Sequence, residues 1–186
     1  SLEACTSSLP ICSTRLIRFM ALGKDALFQP TCLWELNQMK LSDHFTLKEL
    51  TKSHTAERKG IDNTCNDAQL SCLKSLCREI LEPVRIHYGI PFAPSSGFRC
   101  LALNREIGSS DTSQHTLGQA ADFELPGVSN MDLAQWIVAN LDYDQLILEF
   151  YDGVDPHSGW VHCSYVENRN RKKALRFDGK VFEPLV

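Results

Sequence analysis

Between residues 64 and 89, apolar side chains recur at three- and four-residue steps: Leu70, Leu73, Cys77, Ile80, Leu81 and Val84. That spacing predicts a helix with one buried stripe. Asn66 or Thr64 opens it and Gly89 supplies a stop signal. Pro83 removes one backbone donor inside this run, which predicts a kink. Upstream, Phe45-Thr46-x-x-Glu49 has the form of a capping box, with Phe45 and Leu50 spaced as a hydrophobic staple. A short helix over about 47–53 follows. Two more helical patterns cover about 101–107 and 131–141, the second with Leu133, Trp136, Ile137 and Leu141 on one face.

The pattern then changes period. Strands are expected at about 119–125, 144–150, 159–166 and 174–183, the last interrupted by the hairpin signal Asp178-Gly179. Side chains alternate across a strand, so each of the first three has a core face: Ala121, Phe123 and Leu125; Leu146, Leu148 and Phe150; Val161, Cys163 and Tyr165. Opposite them lie Ala120, Asp122 and Glu124; Gln145, Ile147 and Glu149; Trp160, His162 and Ser164. Helices followed by strands with short links predict an α+β fold, with helices packed on one side of a small, mainly antiparallel sheet. One such sheet would gather Asp122, Glu149 and His162 on a single face. Residues 1–38 carry three cysteines and no clean period, so they read as an N-terminal extension to a working domain over 39–186.

Composition narrows the partners. The chain has 186 residues, 43% hydrophobic and 23% charged, with a net charge of −4. It lacks the basic footprint of a nucleic-acid-binding protein. Its one basic run, Arg169 to Lys173, reads as a solvated turn. No apolar run approaches the roughly 18 to 20 residues needed to cross a bilayer, and LIRFMALG, broken by Arg18, falls short of a signal-peptide core. The eight cysteines form no CxxC pair, which argues against a zinc ribbon or a thioredoxin-type motif. Cys77, on the apolar stripe, reads as a buried free thiol.

The candidate chemistry lies in SQHTLGQAADFE, residues 113–124. His115 sits just before the strand that carries Asp122, and His162 shares the predicted face. Two imidazoles and a carboxylate with an open fourth position suit catalytic zinc, where a water becomes acidic enough to act near neutral pH. A neighbouring carboxylate can take a proton and return it to the leaving amine. Gly118, Ala120 and Ala121 are expected to keep the approach uncrowded.

Ser113-x-His115-x-x-Gly118-x-Ala120-x-Asp122 resembles the S-x-H-x-x-G-x-A-x-D signature of the zinc D-Ala-D-Ala peptidase family. Ser96-Gly97-Phe98-Arg99 is similar to its S-G-[YF]-R element, and Trp160-Val161-His162 to the segment bearing its last ligand. The opening LSDHFTLKELTKSHTAERKGIDN looks like the start of its compact phage and bacterial members. The resemblance covers about residues 40–166 and implies a D-Ala-D-Ala peptidase, or hedgehog-like, fold. It implies zinc held by His115, Asp122 and His162. Arg99 would stabilise the polarised carbonyl oxygen or anchor substrate, Ser113 would contact the substrate's terminal carboxylate or its neighbourhood, and Trp160 would contact substrate. The implied substrates are peptidoglycan peptides containing D-amino acids, cut at the bacterial cell wall by a D,D-carboxypeptidase or a related endopeptidase. A non-catalytic wall-binding module and a phage structural component are the alternatives.

One departure matters. Many relatives place the catalytic acid three residues before the last ligand, where this chain has Gly159, and some carry a histidine at the position of Trp160. Glu149 is the preferred general base because its strand face matches. Asp152, Asp155 and His157, in the connection to His162, remain competitors.

Overall fold

The computed structural model describes residues 39–185, so the expectation for residues 1–38 lies outside the described residues. Helix α1 (Leu47–Thr51) starts at Thr46, whose hydroxyl accepts from Glu49 N–H while the Glu49 carboxylate accepts from Thr46 N–H. Phe45 and Leu50 are buried on either side of that cap, as a staple requires. A second short helix, α2 (His54–Lys59), follows at once, capped by Ser53. Its polar sequence carries no apolar stripe that would announce it.

The long helical run begins at Asn66, which forms a reciprocal capping box with Gln69. It continues as α3 (Asp67–Leu76), a π-helical turn (Cys77–Leu81) and α4 (Glu82–Tyr88). The expected disturbance at Pro83 takes the form of this wide turn, in which Glu82 N–H donates to Cys77 C=O. Widening the helix just before the proline accommodates the missing donor. Gly89 ends the run in the left-handed conformation, donating to Arg85 C=O. Burial raises the Cys77 thiol to about 12, so it behaves as a small apolar side chain.

Helices α5 (Leu101–Glu106) and α6 (Asn130–Asn140) and a 3₁₀ turn (Gln114–Leu117) complete the helical part. The strands are β1 (Ala120–Phe123), β2 (Gln145–Glu149), β3 (Trp160–Ser164), β4 (Lys173–Phe177) and β5 (Phe182–Pro184). They form one sheet in the order β1-β3-β2-β4-β5. All neighbours are antiparallel except β2 and β4. That exception has a simple cause. Strand β3 ends at Ser164, opposite Gln145, already flanked by β1 and β2. The outer edge of β1 is taken by Ser95 and Ser96, so the next strand takes the free edge of β2, and it enters at Lys173 opposite Gln145, hence parallel.

One face of the sheet packs on the helices. Phe123, Leu146, Leu148 and Val161 join Leu73, Leu76, Ile80, Leu81 and Val84 from the long helical run and Leu133 and Ile137 from α6 in one core. Each such side chain contributes about 1.5–3 kcal/mol on full burial. Phe150, expected on this core face, departs from it. Its φ of 54° turns the chain out of the strand, and its half-exposed ring packs beside Trp160 and Phe177.

Candidate metal centre

The opposite face of the sheet carries the chemistry, and register puts it in rows. Asp122 pairs with His162, and His162 with Ile147. One row further along, Glu149 pairs with Trp160. His115 reaches the same place from the 3₁₀ turn that precedes β1, a turn held by Gln69 Nε2 donating to Thr116 C=O.

The three candidate ligands converge. His115 Nε2 lies 3.2 Å from Asp122 Oδ1 and 3.2 Å from His162 Nδ1, and His162 Nδ1 lies 2.8 Å from Asp122 Oδ1. Four ligands at about 2.0–2.1 Å around zinc would be about 3.3 Å apart, so this triangle is close to one face of a zinc tetrahedron. The donor chemistry agrees. His115 Nδ1 is 2.7 Å from Gly97 C=O, which makes Nδ1 the protonated nitrogen and turns the Nε2 lone pair inward. Burial lowers the His115 pKa and keeps the ring neutral. Burial alone would raise the Asp122 carboxyl, but the polar groups around it outweigh burial and keep it well below the usual carboxylate range. Neutral imidazole nitrogen and anionic oxygen pointing at one spot suit a divalent cation. Among the described residues, His115, Asp122 and His162 are the group arranged to hold one.

The S-G-F-R element supports this cluster from the outer edge of β1. Asp122 N–H donates to Ser96 C=O at 2.8 Å, and Ser95 N–H donates to Asp122 C=O at 2.9 Å. Arg99 N–H donates to His115 C=O. The Arg99 guanidinium lies under the cluster: Nη1 donates to Ser96 Oγ at 2.8 Å and Asp122 Oδ2 at 3.4 Å, and Nε to Asn104 Oδ1 at 3.2 Å. Its Nη2 has no hydrogen-bond partner among the described residues. Sequence reasoning missed the bracket beneath. Asn63 donates to Thr51 and Phe98 carbonyls and accepts from Cys100 N–H; an isolated asparagine in a loop carries no pattern that announces this.

A cleft of about 540 Å³ opens over the cluster. Every sequence-expected site residue borders it: His115, Asp122, His162, Glu149, Arg99, Ser113 and Trp160. Burial raises the Glu149 pKa and the charge of Asp122 adds to that, against opposing pulls from His162 and Arg99. The indole nitrogen of Trp160 is buried on the same face, where Trp160 pairs with Glu149. The competitors in the connection are occupied elsewhere. Asp152 accepts from Val154 N–H, Asp155 N–H and Ser158 Oγ, and Asp155 accepts from His157 N–H. They hold their own loop, and none of the three borders the cleft.

Two expectations about small residues need correction. Gly118 does not open the approach. A Cβ there would sit 2.6 Å from Gln69 C=O, so Gly118 lets the 3₁₀ turn pack on α3. Ala120 and Ala121 are fully buried in the sheet. Gly159 explains its own departure from the expected acid. Its φ is 70°, and a Cβ would overlap the Glu149 carbonyl oxygen and lie 2.8 Å from the Phe150 carbonyl carbon. No side chain fits at 159, while Glu149, on the strand it presses against, borders the cleft.

The fold and the cluster define a class: an α+β protein with a two-histidine, one-aspartate metal centre beside a half-buried glutamate, as in metal-dependent hydrolases. The chain belongs to the Peptidase M15 family, whose model matches residues 43–164. The family's zinc dependence agrees with the donor set, and membership supports a zinc metallopeptidase. No curated protein matches the chain significantly.

Proposed function

We propose that this protein hydrolyses peptide bonds in peptidoglycan stem peptides containing D-amino acids, as a D,D-carboxypeptidase or a related endopeptidase, at the bacterial cell wall. The observation that carries the reading is a general-base candidate one strand rung from a zinc-shaped triangle, in one cleft. His115, Asp122 and His162 would hold the ion, which when bound supplies Lewis acidity and an acidified water.

The chain's own residues then divide the work. Glu149 takes a proton from the attacking water and passes it to the leaving amine; a carboxyl with a raised pKa is suited to both directions. Arg99 holds Asp122 through Nη1 and keeps Nη2 for the oxygen that gains charge in the transition state. Ser113 and Trp160 border the cleft and contact the peptide. The presence of Glu149 favours hydrolysis over a non-catalytic binding module, which needs no carboxylate beside the metal.

The test is metal analysis of the purified protein followed by digestion of muropeptides with mass-spectrometric identification of products. One zinc per chain and loss of a terminal D-alanine, or cleavage within the stem, supports the reading. A zinc-loaded protein that binds muropeptides and leaves them intact refutes it.

A further inference from the structure

The basic run expected to be a solvated turn is not uniformly so. Arg171 borders the metal cleft, and it lies beyond the residues matched by the family. Its guanidinium is fixed by Asp144: Nε donates to Oδ1 at 2.9 Å and Nη2 to Oδ2 at 2.6 Å, while Arg171 N–H also donates to Oδ1 at 3.1 Å. Gln114, the neighbour of His115, donates to the same carboxylate at 2.9 Å. The Asp144 side chain is 2% exposed and that of Arg171 is 57% exposed. A buried anion thus holds an exposed cation at the mouth of the cleft.

The geometry leaves one edge of the fork unused. Asp144 occupies the Nε–Nη2 edge, and Nη1 has no hydrogen-bond partner among the described residues. The Nη1–Nη2 edge can therefore take a carboxylate through two parallel hydrogen bonds. Arg99, the other cation bordering the cleft, spends Nε and Nη1 on Asn104, Ser96 and Asp122, has only Nη2 left for the reacting oxygen, and its side chain is only 14% exposed. The surrounding Ser109, Ser110, Thr112 and Ser113 add hydroxyl groups to this wall.

Register gives the direction. Gln145, next to Asp144, pairs with Ser164; the following face-sharing row is Ile147–His162; the next is Glu149–Trp160. Rows on one face are about 6.8 Å apart. Asp144, and Arg171 with it, therefore lies toward the Gln145 end, while Glu149 lies on the other side of the metal row. About two residues of extended peptide cover one such interval. We propose that Arg171, pre-set by Asp144, is a specificity residue that receives a free carboxylate of the substrate within about two residues of the scissile bond. The inference rests on the peptidase reading and deepens it. The carboxylate has two possible sources, the peptide C-terminus or an acidic side chain near it.

The experiment compares the zinc-loaded wild type with Arg171→Gln and Arg171→Lys on three versions of one stem peptide: the free acid, its C-terminal amide, and a version with the side-chain carboxylate amidated. In the wild type, masking the recognised carboxylate should lower kcat/KM by about 10- to 100-fold, mainly through KM, as expected for loss of hydrogen bonds to a charged group. Whichever masking does so identifies the source. Arg171→Gln should lose a similar factor on the free acid and lose little more on the masked peptide, and Arg171→Lys should recover part of it. Equal losses of Arg171→Gln on all three peptides, or no loss on any, overturns the proposal. If the wild type cleaves none of them, the peptidase reading fails. Calorimetric binding of the free acid and the amides then still decides the Arg171 assignment, which stands only if the wild type prefers a free carboxylate and Arg171→Gln does not.

Discussion

Substituting Gly159 by alanine tests the close backbone approach that sets this connection against Glu149. Two costs add. An L-residue in the left-handed region costs about 1–2 kcal/mol. The new Cβ would also overlap the Glu149 carbonyl oxygen and press on the Phe150 carbonyl carbon at 2.8 Å. Both obstacles are backbone, so no rotamer change relieves them, and overpacking of this kind costs about 1–3 kcal/mol. The sum is about 2–5 kcal/mol, or roughly 5–15 °C in Tm for a domain of this size. Gly153, in the same connection, is the internal control. Its φ is 81°, but a Cβ there meets nothing within 4 Å, so Gly153→Ala carries the conformational cost alone. Urea and thermal unfolding of both zinc-loaded variants give the difference directly, and turnover should fall further in Gly159→Ala because the strain is applied to the Glu149 backbone. If Gly159→Ala unfolds with Gly153→Ala and turns over like the wild type, the close approach does not exist as described.

Glu149→Gln should keep zinc and lose about 10²- to 10⁴-fold in turnover, while Asp152→Asn and Asp155→Asn stay near the wild type; the reverse pattern in a muropeptide assay would move the base into the loop. Chelation should lower the Tm and added zinc should restore it, by about 4 kcal/mol at a thousandfold excess over Kd; His162→Ala should lose most of that response, and a wild type indifferent to chelator would contradict the metal centre. Burial alone would raise the Asp144 carboxyl, but Arg171 and Gln114 outweigh it and hold it below its ordinary value. A carboxyl lowered on folding stabilises above its unfolded pKa of about 3.9 and loses that contribution as pH falls through its folded value. The stability gap between wild type and Asp144→Asn in urea should therefore be widest near neutral pH and shrink below about pH 4; a gap that widens on acidification would reverse the sign.

What the sequence discloses and what it withholds divide along a physical line. Caps, the apolar helical stripe and strand alternation are local, and they suffice to put Asp122, Glu149 and His162 on one face. Contacts between segments distant along the chain are not local. Nothing in RNRKK marks Arg171 as the one bound by Asp144, 27 residues earlier. Nothing in an isolated Asn130 shows that it donates to the carbonyls of His157 and Gly159. The parallel entry of β4 likewise depends on which sheet edge is already taken. Gly159 joins the two kinds of information. As a sequence position it looks like a lost catalytic acid, which would favour a binding module. In the fold it is the point where the connection after β2 returns against the Glu149 carbonyl, starting β3 one residue later and setting Trp160 opposite Glu149. The glycine that denies a side chain at 159 thereby permits the register that sets Glu149 one rung from His162. The absence of one carboxylate and the placement of the other are a single structural fact.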